Sequence, residues 1–275
     1  MRLVTFTHNS RTQLGEIVGD DVYVLSSSDT LKMHEMIRRG ITPNRVSQHY
    51  PLADVTLHAP LRPGKIVAIG RNYAEHAKET GNEPPPRPLI FAKFPSAVID
   101  PGETITWRDS ITKEVDWEVE LVVIIGKRAQ NVSEEEALSH VFGYTIGNDV
   151  SARDLQLRTD GQWTRGKSLD TFCPLGPEIV TRDEIEDPQN LNLKTTVNGE
   201  VMQDGNTKDM IFNVAYLIHY ISQHITLEPA DIIMTGTPPG VGEGRNPKVY
   251  LKDGDVVTCS VEGIGELSNP CKVIE

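Results

Sequence analysis

The chain has 275 residues, 38% of them hydrophobic, with a formal net charge of −12 at pH 7 and a pI near 5.2. This length suits one large domain, or one large and one small domain, with a packed core. The acidic balance argues against a nucleic-acid binder and against an acidic-membrane binder, because both need a basic face.

The apolar runs and the cysteines indicate the cellular setting. No run is long enough for a transmembrane helix, and the N-terminus lacks the apolar segment of a signal peptide. Cys173, Cys259 and Cys271 show neither metal-ligand spacing nor an even-numbered disulfide framework. We therefore expect a cytoplasmic protein with reduced thiols and no membrane partner.

The first part of the chain predicts a small N-terminal domain over residues 1–60. Short apolar runs with polar turns between them are typical of strands, and they cover residues 3–7, 14–18 and 22–25. Residues 60–64 contain two prolines and a glycine and mark a boundary. A second domain is predicted over residues 61–275.

A helix that follows the apolar strand at residues 65–70 carries a possible acid–base pair. Asn72 suits its N-cap and Gly81 its C-terminal end. His76 and Glu79 are three residues apart and share a helix face. A carboxylate beside an imidazole orients the ring, which is the minimum needed to activate a water. An exposed pair without a role fits the same spacing. The proline-rich segment that follows ends the helix, so this helix could act as a lid.

The central motif is the acidic strand predicted at residues 116–125. Side chains of a strand alternate, so Asp116, Glu118 and Glu120 point the same way at a spacing of roughly 6.6 Å. Water, protonation or a cation relieves their repulsion, and hard divalent cations favour carboxylate oxygens. A solvated edge strand is the alternative. Lys93, on the strand before, is a candidate cation facing inward.

Asp149 is a second candidate ligand, placed at the end of the buried strand predicted at residues 141–147. A carboxylate there is costly unless it is paired. It could be a third ligand beside the two glutamates, or it could cap a helix starting near Ser151; the pattern leaves both open. Arg153 and Gln156 are three apart on that helix and could together bind a carboxylate or keto oxygen.

Residues 161–168 match the Walker A pattern of phosphate-binding loops. A true phosphate-binding loop lies between a buried strand and a long helix. Here the preceding segment is polar, and Pro174 follows too soon for such a helix. We therefore expect no nucleotide site, although Lys167 in a loop flanked by glycine remains a good point charge for an anion.

The loop at residues 235–242 is rich in glycine and proline and follows a buried strand. Such a loop can aim successive backbone N–H groups at an anion, and Thr237 adds a hydroxyl. An ordinary tight turn explains the same composition.

Five segments in a fixed order resemble the fumarylacetoacetate hydrolase family. They are Gly-Arg-Asn-Tyr at 70–73, Asp-Trp-Glu-Val-Glu at 116–120, Gly-Asn-Asp-Val-Ser-Ala-Arg-Asp at 147–154, Gly-Lys-Ser at 166–168 and Thr-Gly-Thr-Pro-Pro-Gly-Val-Gly at 235–242. The resemblance implies an α+β, β-rich fold: a mixed β-sandwich roll with short flanking helices, a small N-terminal α/β subdomain, and a homodimer.

The resemblance also implies roles for the residues singled out above. Glu118, Glu120 and Asp149 would hold one Mg²⁺ or Mn²⁺ per subunit, with Asp116 as support. His76 and Glu79 would activate water, and Lys167 would stabilise a developing enolate. Substrate contacts are implied for Arg71, Tyr73, Lys93, Arg153, Gln156 and Thr237.

The expected function is hydrolysis or lysis of a C–C bond in a small, anionic 2-oxo or β-diketo acid, with acylpyruvate hydrolysis first. Oxaloacetate decarboxylation and the isomerase/decarboxylase steps on 2-hydroxyhepta-2,4-diene-1,7-dioate and 5-oxopent-3-ene-1,2,5-tricarboxylate in aromatic catabolism are the alternatives. A phosphate-binding-loop hydrolase would bind ATP through Lys167. A metal-stabilised binding protein would gain thermal stability from Mg²⁺ and turn over no oxo acid.

Overall fold

The computed structural model describes residues 1–26, 31–159 and 161–275. The strands are β1 (Arg2–His8), β2 (Arg11–Val18), β3 (Asp21–Leu25), β4 (Arg45–Pro51), β5 (Thr56–His58), β6 (Ile66–Gly70), β7 (Leu89–Lys93), β8 (Val98–Ile99), β9 (Ile105–Trp107), β10 (Val115–Asp116), β11 (Val119–Ile125), β12 (Val141–Asn148), β13 (Ser151–Ala152), β14 (Cys173–Thr181), β15 (Asn192–Val197), β16 (Glu200–Asn206), β17 (Ile232–Met234), β18 (Val256–Val261) and β19 (Gly265–Val273).

The helices are short. They are α1 (Met33–Arg38), α2 (Ala74–Glu79), α3 (Glu134–Ala137), α4 (Trp163–Lys167) and α5 (Val214–Ser222), with a π-helical turn at Asp154–Thr159. Single 3₁₀ turns lie at Leu52–Asp54, Pro95–Ala97, Leu138–His140, Arg182–Glu184, Thr207–Asp209 and Gly242–Gly244. In the portion of the chain that the structure describes, no helix has both the length and the apolar character needed to cross a membrane.

A large mixed sheet forms the centre of the fold. Its order is β4-β3-β2-β1-β14-β12-β11-β17-β6-β7, with β5 paired to β1 and β8 to β14. A second sheet has the order β16-β15-β18-β19-β9. The core between them takes alternate residues of β11, Val119, Leu121 and Val123, whereas Val122 and Ile124 face a second apolar cluster. This is the β-rich α+β architecture that the sequence predicted.

The first sixty residues share the large sheet with the rest of the chain. Strand β1 is antiparallel to β14, where Leu3 is the partner of Ile179. Leu3 also packs in one apolar cluster with Val122 and Ile232 of the central strands. Hydrogen bonds and apolar packing thus connect residues 1–60 with the rest of the chain. The domain boundary at residue 60 stays a prediction.

The acidic strand differs from its prediction. Asp116 ends the two-residue strand β10, which pairs with β13, and β11 starts only at Val119. The break places Trp117, a fully buried indole, between the two strands. The helix expected from Ser151 is also wrong, since Ser151 lies in β13 and helical turns begin only at Asp154. Asp149 is therefore not the cap of a helix.

Helix α2 starts one residue later than predicted, with Tyr73 as its N-cap. The prediction of Asn72 as the cap is wrong. The side-chain amide of Asn72 instead donates to the carbonyl oxygens of Phe212 and Thr235 and accepts from the backbone N–H of Phe212. These bonds tie the start of α2 to the loop after β17. A contact between distant segments has overridden a local capping preference.

Candidate active site

Three buried carboxylates meet at the junction of β11 and β12. Glu118, Glu120 and Asp149 each offer an oxygen atom, and these three atoms lie within 4.8 Å of one another. The strand register brings them together, since Val119 at the start of β11 is the partner of Asn148 at the end of β12. Asn148 also accepts the backbone N–H of Glu118 through its side-chain oxygen, 3.0 Å away, which fixes the residue in the strand break.

Basic side chains neutralise two of the three carboxylates. The Lys167 ammonium lies 2.8 Å from an oxygen of Glu118 and 2.8 Å from an oxygen of Asp149. Lys93 lies 2.7 Å from the other oxygen of Asp149, and Arg153 lies 2.6 Å from the other oxygen of Glu118. The carboxylate of Glu120 accepts a hydrogen bond from the backbone N–H of Gly236 at 2.9 Å.

This arrangement shifts the pKa values of Glu118 and Glu120 in opposite directions. Burial opposes ionisation of Glu118, but the charges of Lys167 and Arg153 outweigh it and lower its pKa to about 2. Burial, together with the charges of Asp149 and Glu118, raises the pKa of Glu120 well above its ordinary value. A carboxylate held at such a cost fits a cation site, because a bound cation would offset the excess negative charge. The all-oxygen donor set suits Mg²⁺ or Mn²⁺.

Asp116 stands outside this cluster and fixes its surroundings. Its carboxylate accepts the backbone N–H groups of Gly242 at 2.7 Å and Glu243 at 2.9 Å. It also accepts the Nε–H of Arg153 at 2.8 Å, and the same guanidinium donates to Glu118. Asp116 therefore orients Arg153 toward the carboxylate cluster, in keeping with its predicted supporting position.

His76 and Glu79 form a close pair beside this cluster. His76 lines a cavity whose wall also contains Glu118 and Lys167. Its Nδ1 lies 2.8 Å from one oxygen of Glu79, and the other oxygen accepts the backbone N–H of Gly240 at 2.8 Å. The imidazole is thus oriented by a carboxylate that is itself anchored. An imidazole oriented in this way meets one requirement of a general base.

The glycine-rich loop after β17 uses its N–H groups on the protein's own carboxylates. Besides Gly240 on Glu79, Gly236 donates to Glu120 and Gly242 to Asp116. The anions that accept these N–H groups are therefore side chains of the protein itself. Thr237 lines the cavity, but its hydroxyl donates to the carbonyl oxygen of Val119 at 2.8 Å and accepts from Gln203.

Two residues expected to contact substrate lie behind the cavity wall. The Lys93 ammonium donates to the carbonyl oxygens of Val150 and Lys167 and forms an ion pair with Asp149. Tyr73 is 1% exposed in the apolar core, where burial raises the pKa of its phenol. Lys93 therefore holds Asp149 in place, and Tyr73 packs in the core; neither residue lines the cavity.

Three other residues for which substrate contacts are implied, Arg71, Arg153 and Gln156, line the cavity. Arg153 donates to the side-chain oxygen of Gln156 at 2.9 Å, and both residues lie in the wall with Arg71. Gly166 allows α4 to pack on the π-helical turn, because a Cβ there would lie 2.7 Å from the backbone nitrogen of Gln156. This close approach places Lys167 on the carboxylates.

The position of Lys167 also argues against a phosphate-binding loop. It ends helix α4, whereas the lysine of such a loop opens a helix. Its ammonium is bound to Glu118 and Asp149 rather than directed at a phosphate cradle.

Sequence reasoning missed several residues of the cavity wall, and two of them bear directly on the site. Glu243 lines the cavity and accepts from Arg158 at 2.9 Å and from Tyr250 at 2.7 Å. Burial opposes its ionisation, but these hydrogen bonds lower its pKa to about 2. The second residue, Trp163, lies against β6 and β7. Its neighbours are distant in the chain, and no local periodicity could have revealed either residue.

Comparisons with known proteins identify the family of this chain. Residues 65–272 match the model for the C-terminal domain of fumarylacetoacetate (FAA) hydrolase. A Bos taurus protein named oxaloacetate tautomerase FAHD2A, mitochondrial, is 50% identical over 221 residues, which cover 80% of this chain and 70% of that protein.

Solved structures extend the similarity to the whole chain. The fumarylacetoacetate hydrolase of Exiguobacterium antarcticum superposes with a TM-score of 0.88 at 40% identity, over 100% of both chains. A 2-hydroxyhepta-2,4-diene-1,7-dioate isomerase of Mycobacterium marinum gives a TM-score of 0.84 at 38% identity, over 99% of this chain and 98% of that chain. The motifs, the fold and these relatives together show that the chain belongs to the fumarylacetoacetate hydrolase family.

Proposed function

We propose that this protein is a divalent-metal-dependent enzyme that interconverts the keto and enol forms of a small 2-oxo acid, with oxaloacetate as the leading substrate. The observation that carries the proposal is the His76–Glu79 pair, a base anchored at 2.8 Å beside the carboxylate cluster. The similarity to a tautomerase at 50% identity supports proton transfer to and from carbon. We therefore place this reaction ahead of the acylpyruvate hydrolysis that the sequence favoured.

The carboxylate cluster would bind the metal. Glu118, Glu120 and Asp149 are the residues that would hold Mg²⁺ or Mn²⁺, which when bound acts as a Lewis acid toward the oxygens of a 2-oxo acid. Lys93 and Arg153 would keep Asp149 and Glu118 in position through their ion pairs. These contacts preorganise the donors before any ligand arrives.

His76 would move the proton. An ionised carboxylate can only accept, so the proton shared with Glu79 belongs to Nδ1 of His76, and Nε2 remains as the base. Nε2 would take the proton from the carbon next to the keto group. The electrons of that C–H bond would form the C=C bond, and the keto oxygen would take up the charge. The imidazolium would then return its proton to that oxygen, which restores the neutral base. Glu79 would stabilise the imidazolium in between.

Lys167 would stabilise the charge on the keto oxygen. Its ammonium has three protons, and two of them lie on Glu118 and Asp149. Because Lys167 lines the cavity, its third proton can be donated to a substrate oxygen. A fixed cation at the point where charge develops lowers the barrier electrostatically.

Hydrolysis of a C–C bond is the second candidate function. The same Nε2 of His76 could take a proton from water instead of carbon, and a hydrolase matches the whole chain at a TM-score of 0.88.

The cytoplasmic location and the homodimer remain expectations. The three cysteines are free and buried, as a reducing compartment allows. Light scattering at several protein concentrations tests the homodimer.

One assay separates these reactions. Chelator-stripped protein is given Mn²⁺ and mixed with oxaloacetate, and the absorbance of the enol and the release of pyruvate are followed. A parallel sample receives acetylpyruvate, and its cleavage is followed. Mn²⁺ without protein is the blank for both samples. The proposal predicts enol–keto conversion without loss of carbon. Glu79→Gln should lower that rate, whereas Glu75→Gln, on the exposed face of the same helix, should not. Acetylpyruvate cleavage with no enol conversion would replace the proposal by hydrolysis. Metal stabilisation with no turnover would leave a binding protein.

A further inference from the structure

Arg71 differs from the other basic residues of the cavity. Lys167 and Arg153 line the same wall, and carboxylates of the protein pair with both. Arg71 also lines the cavity and is only half-buried, and within residues 1–26, 31–159 and 161–275 the structure gives it no hydrogen bond or ion pair. Its side chain lies over an aromatic ring. A guanidinium with five donors is thus available to a ligand.

The aromatic ring under Arg71 belongs to Trp163. The guanidinium carbon lies 5.4 Å from the indole centroid, within the range of a cation–π contact. The indole is itself held, since Phe91 meets it edge-on at 5.4 Å and Gly70 leaves room for it against β6. Arg71 has a φ of 55°, a region that side chains other than glycine rarely adopt. Such backbone strain is concentrated at functional sites.

The charges of the cavity indicate what this guanidinium binds. A 2-oxo acid presents its carboxylate and keto oxygens to the centre that includes Glu118. Glu243 lines the same cavity, and Arg158 and Lys248 already pair with it. A second carboxylate on the substrate would be desolvated in this cavity, so it needs a cation that the protein has not already neutralised. Arg71 fulfils that condition. Its planar fork suits a carboxylate and makes two parallel hydrogen bonds.

We propose that Arg71, seated on Trp163, binds the distal carboxylate of the substrate and makes the enzyme selective for dicarboxylic 2-oxo acids over those with an uncharged end. This inference rests on the proposed function for the choice of a 2-oxo acid. In it Arg71 touches the substrate, whereas Trp163 is a positioning residue that acts through Arg71.

A matched pair of ligands tests the proposal independently of tautomerisation. The probes are 3,3-dimethyl-2-oxobutanedioate and 3,3-dimethyl-2-oxobutanoate, which differ only in that a methyl group replaces the distal carboxylate. Neither has a hydrogen on the carbon next to the keto group, so neither can tautomerise. Binding to the Mn²⁺-loaded protein is measured by short calorimetric titrations. We expect the dicarboxylate to bind about 10- to 100-fold more tightly, as charge-assisted hydrogen bonds allow.

The variants assign this preference to Arg71. In Arg71→Ala the dicarboxylate should lose its advantage while binding of the monocarboxylate stays unchanged, and Arg71→Lys should keep part of it. Trp163→Leu should lower the preference for the dicarboxylate. With oxaloacetate, the same variant should raise KM more than it lowers kcat. Trp163→Phe, which keeps an aromatic ring under Arg71, should keep the preference. Arg87→Ala, at an exposed arginine after α2, is the control and should keep the full preference.

Two results would overturn the proposal: equal weakening of both ligands in Arg71→Ala, or a preference that survives this substitution. Failure of the proposed function has a different signature. If the wild-type protein shows the Arg71-dependent preference but does not convert oxaloacetate, the carboxylate anchor stands and the reaction is wrong. If it converts oxaloacetate without the preference, the reaction stands and the anchor is wrong.

Discussion

The buried pair of Lys93 and Asp149 allows a quantitative test of how the site is held together. Both side chains are fully buried, and their charged atoms are 2.7 Å apart. The substitution Lys93→Met keeps the length and the apolar stem but removes the charge and the two hydrogen bonds to carbonyl oxygens. Among the residues that the structure describes, Asp149 then keeps Lys167 as its one cationic partner.

Removing one partner of a buried ion pair costs about 3–5 kcal/mol, because the remaining charge stays desolvated. At about 2–4 °C per kcal/mol for a domain of this size, the melting temperature should fall by about 6–20 °C. Thermal unfolding of the metal-free protein measures this shift. Mn²⁺ should recover part of the loss, since it would supply positive charge at Asp149.

Lys78→Met serves as the matched control. Lys78 pairs with Glu75 on the exposed face of α2, where water screens the ion pair, so the melting temperature should hardly change. If Lys93→Met were as stable as this control, the reasoning that Lys93 offsets the buried charge of Asp149 would be refuted.

Three further predictions follow from contacts around the site. Glu79→Gln should lower turnover by about 10²- to 10⁴-fold, the range for an acid–base group, without changing Mn²⁺ affinity; an unchanged rate would exclude the dyad. Gly242→Ala should lower the melting temperature and weaken turnover together, because a Cβ would run into the carbonyl oxygen of Val249 and the carboxylate of Asp116; a wild-type melting curve would contradict this packing. Burial and the neighbouring carboxylates raise the pKa of Glu120 above its ordinary value of 4.5. At any pH between 4.5 and this raised pKa, the Glu120 carboxyl is protonated in the metal-free protein, so a metal that binds it must displace a proton. Mn²⁺ affinity should therefore fall as pH falls in this range, and titrations in two buffers should show proton release; pH-independent affinity without release would argue against Glu120 as a ligand.

Sequence could predict the carboxylate cluster because its signal is local. Strand alternation places Glu118 and Glu120 on one side, and this geometry survives the break at Trp117 because Asn148 fixes the backbone of Glu118. Asp149 was ambiguous, since a carboxylate after a strand can bind an ion or cap a helix. The pairing of β10 with β13 resolved that ambiguity, and no residue near Asp149 encodes it.

The partners of the loop after β17 could not be predicted for a similar reason. Its glycines suggested N–H groups free to bind an anion, and the structure shows those groups bound to Glu79, Asp116 and Glu120. These carboxylates lie more than a hundred residues earlier in the chain. Only the packing of β17 beside β11 brings the loop to them. Local composition can identify an anion-binding loop, but it does not identify the anion.

The rate of oxaloacetate enol conversion as a function of added Mn²⁺ tests the central claim most directly. Chelator-stripped protein should be inactive, and the rate should rise with Mn²⁺ to saturate near one equivalent per chain. Glu120→Gln should stay at the background of Mn²⁺ alone. Full activity of the stripped protein, or an equal response of Glu120→Gln, would contradict a metal-dependent reaction at the Glu118–Glu120–Asp149 cluster.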